Sequence, residues 1–97
     1  MGDRVAIQGR ITIENSGEMR TALANALRAK PASVSVDLSG VSYIDTSGLA
    51  TLVEATRIAR KQGTRLLLGG LHAQPRYLIE ITHLDQLFDI AVREASK

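Results

Sequence analysis

The chain has 97 residues, 44% of them hydrophobic, which suffices for one compact domain spanning 1–97 and leaves no room for two. Twelve basic residues, scattered along the chain, against ten acidic ones give a net charge of +2, and only Tyr43, Tyr77 and Phe88 are aromatic, so the charge clusters and stacking platforms of a nucleic-acid binder are missing. Lack of cysteine excludes disulfide and thiolate chemistry, and no apolar run approaches the roughly 20 residues of a membrane span.

The start, MGDRVAIQGR, has no signal-peptide core, and Ala6 breaks the myristoylation pattern that Gly2 begins, so a cytoplasmic location without direct membrane insertion is expected. Val5 and Ile7, then Ile11 and Ile13, alternate with polar residues about Gly9, which predicts two short strands meeting at a turn. Asn15 and Glu18 have capping-box spacing, and Met19, Ala22, Leu23, Ala26 and Leu27 recur at helical period up to Ala29, before Pro31. Val34, Val36 and Leu38 predict a strand whose end carries Asp37, followed by a loop at Gly40. A second helix is expected from about Ser47 to Gln62, stopped by Gly63.

Arg65-Leu66-Leu67-Leu68, closed by Gly69-Gly70, reads as a buried strand, and Pro75 suits the first turn of a third helix carrying Leu78, Ile79 and Thr82 inward. Leu87-Phe88-Asp89-Ile90 reads as a last strand, with Ala91 to Ser96 as a short terminal helix or tail. Strands alternating with helices imply crossovers, hence a small α/β domain: a mixed, mostly parallel sheet of about five strands with an antiparallel N-terminal edge, and about four helices.

The chemistry concentrates in VDLSGVSYIDTSGL, residues 36–49. Asp45 or Thr46 can cap the second helix by accepting a free backbone N–H, but capping leaves two adjacent hydroxyls and Gly48 unexplained. At 100° per residue, Leu49, Leu52, Val53, Thr56 and Ala59 share one face of that helix, while Ser47, Thr51, Glu54 and Ile58 share the opposite one. The hydroxyl of Ser47 is therefore expected to begin an outward stripe ending in Ile58.

A nucleophilic Ser47 would need a base, and only His72 and His83 are available, without the G-x-S-x-G elbow, so a small hydrolase is the weakest reading. No H-E-x-x-H or cysteine-histidine cluster supports a metal. Gly69-Gly70 lacks the spacing of a nucleotide-binding loop, so no cofactor is expected. Asp45 as a phosphoacceptor would require an acid pair after the first strand, where Gln8-Gly9 stands. What remains is a hydroxyl offered to another protein. A phosphate on Ser47 would add about −1.5 to −2 charge at a helix N-terminus, beside Asp45, and change the surface without unfolding it.

At these residues the chain resembles the STAS domain family. The DLSGVSYIDTSGL block carries the likeness, supported by the segment with Gly9, RLLLGGL and LIEITHLDQLFDIA. In its anti-sigma factor antagonists the second hydroxyl of D-[ST]-S-G, here Ser47, is phosphorylated by a serine kinase that is itself the anti-sigma factor. The unphosphorylated antagonist binds that kinase and frees the sigma factor, and a phosphatase resets the cycle. The resemblance thus implies a non-enzymatic binding module with Ser47 as phosphoacceptor, and Asp45, Thr46 and Gly48 shaping the loop and its kinase contacts. Together with the helix face, the expected partner-binding set is Asp45, Thr46, Gly48, Thr51, Glu54 and Ile58. Gly9-Arg10-Ile11-Thr12 departs from the acidic G-E-L-D-like segment of many antagonists. A second branch, subunits of lipid-trafficking ABC transporters, reads D-T-G-G there and uses the threonine, here Thr46, against the ATPase subunit.

Overall fold

The computed structural model describes residues 2–91, so the terminal helix or tail expected after Ala91 lies outside the described residues. Strand β1 (Gly2–Ile11) leads through helix α1 (Ser16–Arg28) to β2 (Ser33–Ile44), then through α2 (Thr46–Gln62) to β3 (Arg65–Gly69). Helix α3 (Ala73–Ile81) and a 3₁₀ turn (Leu84–Gln86) lead to β4 (Asp89–Ile90). The strands lie in the order β1-β2-β3-β4 and every neighbouring pair is parallel. Each connection therefore has to cross from one end of the sheet to the other, and a helix fills each crossing.

The α/β class is as expected, with corrections in detail. Among the described residues there are four strands and three α-helices, and the antiparallel N-terminal edge is replaced by one continuous parallel strand. Gly9 is not a hairpin turn: with φ of 93° it sits inside β1 where the register slips. Ala6 to Ile11 advances five residues while its partners Asp37 to Ile44 advance seven, so β2 bulges twice against β1. That bulging carries β2 past Gly40, where sequence suggested a loop, and brings Ile44 beside Ile11. Asp37 accordingly lies inside β2, where the hydroxyl and amide of Ser39 and the guanidinium of Arg4 hold its carboxyl well below the usual carboxylate range.

Alternation in β2 and β3 puts Val34, Val36, Leu38, Leu66 and Leu68 into one core with Met19, Leu23 and Leu27 of α1 and Leu49, Leu52, Ala55 and Ala59 of α2. Non-directional burial of this apolar surface is what fixes the two helices to the sheet. At its C-terminus α2 ends as its sequence predicts, on Gly63 with φ of 79°. Two other expectations fail. Asn15 makes no side-chain cap to α1, because its amide is spent on the preceding turn, and Thr82 is exposed at the end of α3, its hydroxyl bonded back to Leu78 O.

Candidate functional site

Because β3 stops opposite Asp37, the second half of β2 lacks a strand neighbour on that side. The side chain of Gln74 takes its place: Oε1 accepts from Ile44 N–H at 2.8 Å and Nε2 donates to Ile44 O at 2.9 Å. This satisfies the last amide and carbonyl of β2 where the strand enters the site. Nothing in the spacing of Gln74 marks this role.

One residue further, Asp45 is the N-cap of α2. Its Oδ1 accepts the backbone N–H of Ser47 at 2.8 Å and of Gly48 at 3.2 Å, two donors with no helical partner. The same oxygen accepts the Ser47 hydroxyl at 2.6 Å. Oδ2 accepts Ile13 N–H at 3.1 Å, and the Asp45 amide donates to Ile11 O at 3.0 Å, so one residue ties the end of β1 to the start of α2. The Ser47 hydroxyl is the largest influence holding the Asp45 carboxyl below its ordinary pKa of 3.8; partial desolvation opposes it, and the amides of Gly48, Ser47 and Ile13 assist.

Gly48 is buried, and the reason is space. A Cβ there would lie 2.6 Å from Ile44 Cγ1 and 2.8 Å from Ile11 Cγ2, so only glycine lets α2 begin this close to both strands. Its role is to position the hydroxyls, and it presents no side chain to a partner.

The expected outward stripe needs correcting at Thr51. That residue is 2% exposed, and its hydroxyl donates to Ser47 O at 3.0 Å, because α1 packs on the flank of α2 that a two-sided wheel leaves to solvent. Glu54 remains exposed in an ion pair with Arg20 of α1 at 3.1 Å, and Ile58 remains exposed at the rim of a cavity of about 140 Å³ between the helices. Thr46 is exposed and Ser47 half-buried, so the structure brings together Asp45, Thr46 and Ser47 at the helix start and leaves Glu54 and Ile58 along its outer edge.

One further residue escaped the sequence. Ile13, read there as a strand residue, stands exposed in the β1–α1 turn next to Asp45; Asn15, a turn former two residues on, was the available signal. His72 and His83, the only bases a hydrolase could use, are not hydrogen-bond partners of Ser47. His72 Nε2 pairs with Ser39 O at 2.6 Å, and His83 precedes the 3₁₀ turn in a left-handed conformation.

The fold and the site define a small parallel α/β domain that displays two adjacent hydroxyls at a helix start, one held by a capping carboxylate. The family model described as "Mlab, STAS domain" matches residues 2–91, and the chain belongs to the STAS domain family. The anti-sigma-B factor antagonist of Bacillus subtilis is 31% identical over 90 residues, covering 93% of this chain and 82% of that protein. The anti-sigma-B factor antagonist of Listeria monocytogenes is 38% identical over 55 residues, 57% of this chain and 48% of that one. In fold, an anti-sigma factor antagonist of Mycobacterium paratuberculosis superposes with a TM-score of 0.80 at 20% identity, over 98% of this chain and 80% of that one. A sulfate transporter family protein of Wolinella succinogenes does so at 0.75 and 20% identity, over 89% and 70%.

Proposed function

We propose that this protein is an anti-sigma factor antagonist, a regulatory binding module and not an enzyme, switched by phosphorylation of Ser47. The observation that carries the reading is the Ser47 hydroxyl, half-exposed at the N-terminus of α2 and oriented by its hydrogen bond to Asp45. In the unmodified state the helix start is compact and uncharged at Ser47, and an anti-sigma factor kinase packs on it, releasing its sigma factor.

During transfer the Ser47 Oγ attacks the γ-phosphorus of ATP held by the kinase. The Oγ–P bond forms as the bond to the β,γ-bridging oxygen breaks, and ADP leaves with that electron pair. The Oγ proton goes to a base of the kinase, because Asp45, with its depressed pKa, is a good hydrogen-bond acceptor but a poor proton acceptor. The product places a dianion where the partner had buried a neutral hydroxyl, and its desolvation without a counter-charge drives the complex apart. A phosphatase restores the binding form in the cytoplasm.

Incubation with the cognate kinase and ATP, followed by peptide mass spectrometry, tests this. One phosphate on Ser47 is expected; a fully active kinase that leaves the protein unlabelled sinks the reading. The exposure of Thr46 favours one other reading, a transporter subunit that meets an ATPase through Thr46.

A further inference from the structure

Ile13 is a large apolar side chain, 74% exposed, at the tip of the β1–α1 turn. A lone exposed isoleucine is ordinary; the way its backbone is held is not. Of the five consecutive amides from Thr12 to Ser16, four bond within the turn: Thr12 N–H to Asn15 Oδ1 at 2.8 Å, Glu14 to Thr12 Oγ1 at 3.3 Å, and Asn15 and Ser16 to Thr12 O at 3.0 and 2.8 Å. Ile13 N–H alone leaves the turn, for Asp45 Oδ2, and the other oxygen of that carboxylate holds the Ser47 hydroxyl.

We infer that Asp45 couples the modification state of Ser47 to the Ile13 turn, and that Ile13 is an apolar anchor of the surface the kinase reads, an inference that rests on Ser47 being the modified residue. Once Oγ carries phosphate it has no proton to donate to Asp45, and a dianion faces the carboxylate. Like charges that close repel, and the Asp45 carboxylate turns against the three amides that hold it. Turning withdraws Oδ2 from Ile13 N–H. The four internal bonds keep the turn's shape, but its one amide tie to the start of α2 is gone. A partner that engages Ile13 and Ser47 together then meets two contacts that no longer align.

Ser47→Asp introduces a carboxylate beside Asp45 without any kinase, so the coupling is tested on the protein alone by amide hydrogen exchange measured by NMR. Ile13 exchange is expected to rise about tenfold in both Ser47→Asp and Asp45→Ala, with the core amide of Leu52 unchanged. If Ser47→Asp also loosens Leu52, the phosphorylated wild-type protein supplies the same comparison of the two amides. Separately, Ile13→Ala is expected to weaken binding of the unmodified protein to its kinase about tenfold. Ile13 exchange that stays at the wild-type rate while Leu52 stays slow overturns the coupling, and unchanged kinase affinity of Ile13→Ala overturns the anchor. A kinase that fails to label Ser47 defeats the proposed switch instead, and leaves the Ser47→Asp exchange result intact.

Discussion

The Ser47 hydroxyl and the Asp45 carboxylate are joined at 2.6 Å by a hydrogen bond that only the unmodified serine can donate. Ser47→Ala and Ser47→Asp therefore differ in what they do to a partner. Alanine removes the acceptor atom for phosphate but adds no charge, so kinase binding is retained within about threefold while labelling at this residue stops. Aspartate adds a charge that the complex must bury unpaired, which costs roughly 3 kcal/mol or more and weakens binding by at least about a hundredfold. Titration of both variants against the kinase by calorimetry separates them; equal affinities for the two would mean that charge at Ser47 is not the signal.

Asp45 gives stability its own pH dependence. Its folded pKa lies below the ordinary 3.8, chiefly through the Ser47 hydroxyl, so above 3.8 the carboxylate is charged in both states and its stabilising contribution is complete. As pH falls below 3.8 the unfolded chain takes up the proton first, and the contribution is lost as pH passes through the lower folded value. Asp45→Ala, which removes the cap, is expected to lower Tm by about 5 °C at neutral pH. That difference narrows as pH falls below 3.8, in melts followed by circular dichroism. A difference that persists undiminished there would assign the effect to shape and not to charge.

Gly48 shows how a site residue can be legible in the sequence for the wrong reason. The block around it was visible as chemistry, yet glycine is needed there because a Cβ would meet Ile44 and Ile11. Gly48→Ala is expected to cost about 1–3 kcal/mol by overpacking, read as a lower urea midpoint with an unchanged slope. Because the hydroxyls stay in place, Ser47 remains a kinase substrate whenever the variant is folded. A stability change under about 0.5 kcal/mol would show that the two isoleucines give way.

The helices were legible because apolar residues recur at helical period and Gly63 supplies the stop, and β3 because a short apolar run ends in two glycines. Less of the N-terminal half was, since Gly9 and Gly40 look the same in sequence whether they turn a hairpin or permit a bulge against a parallel neighbour. At the site, Asp45, Thr46 and Ser47 could be found from residue types next to a helix start. Gln74 and the tie of Ile13 to Asp45 could not, because these contacts lie 30 and 32 residues apart in the chain and no local pattern encodes them; Asn15 signalled the turn alone. Thr51 was misplaced because a helical wheel sees one buried face, whereas α2 is covered by the sheet and by α1.

Thr51 and Ile58 consequently part company under substitution. Thr51→Asp forces a carboxylate into the contact with α1 and is expected to cost roughly 3 kcal/mol of stability. Ile58→Asp, at an exposed position, should leave stability within about 0.5 kcal/mol and weaken kinase binding by about 1–3 kcal/mol, since an apolar contact is replaced by a charge. Urea unfolding and calorimetric binding on the two variants check this. Full affinity in Ile58→Asp would confine the partner surface to the start of α2.

Thr46 and Ser47 adjoin in sequence but not in environment, and that lets substitution tell the two proposed partners apart. Thr46 is exposed and Ser47 half-buried with its proton engaged by Asp45. For an antagonist, Ser47→Asp abolishes kinase binding, while Thr46→Glu, whose charge stays hydrated, weakens it about tenfold or less. For a transporter subunit the order inverts: Thr46→Glu places a charge in the ATPase contact and disrupts it, and Ser47→Asp, outside that contact, is tolerated. Pull-down of the kinase and of the ATPase with both variants therefore reads out the partner directly. Loss of ATPase capture in Thr46→Glu together with intact capture in Ser47→Asp would replace the antagonist reading, whereas loss of kinase capture in Ser47→Asp alone establishes it, because the half-buried hydroxyl is then the one the partner reads.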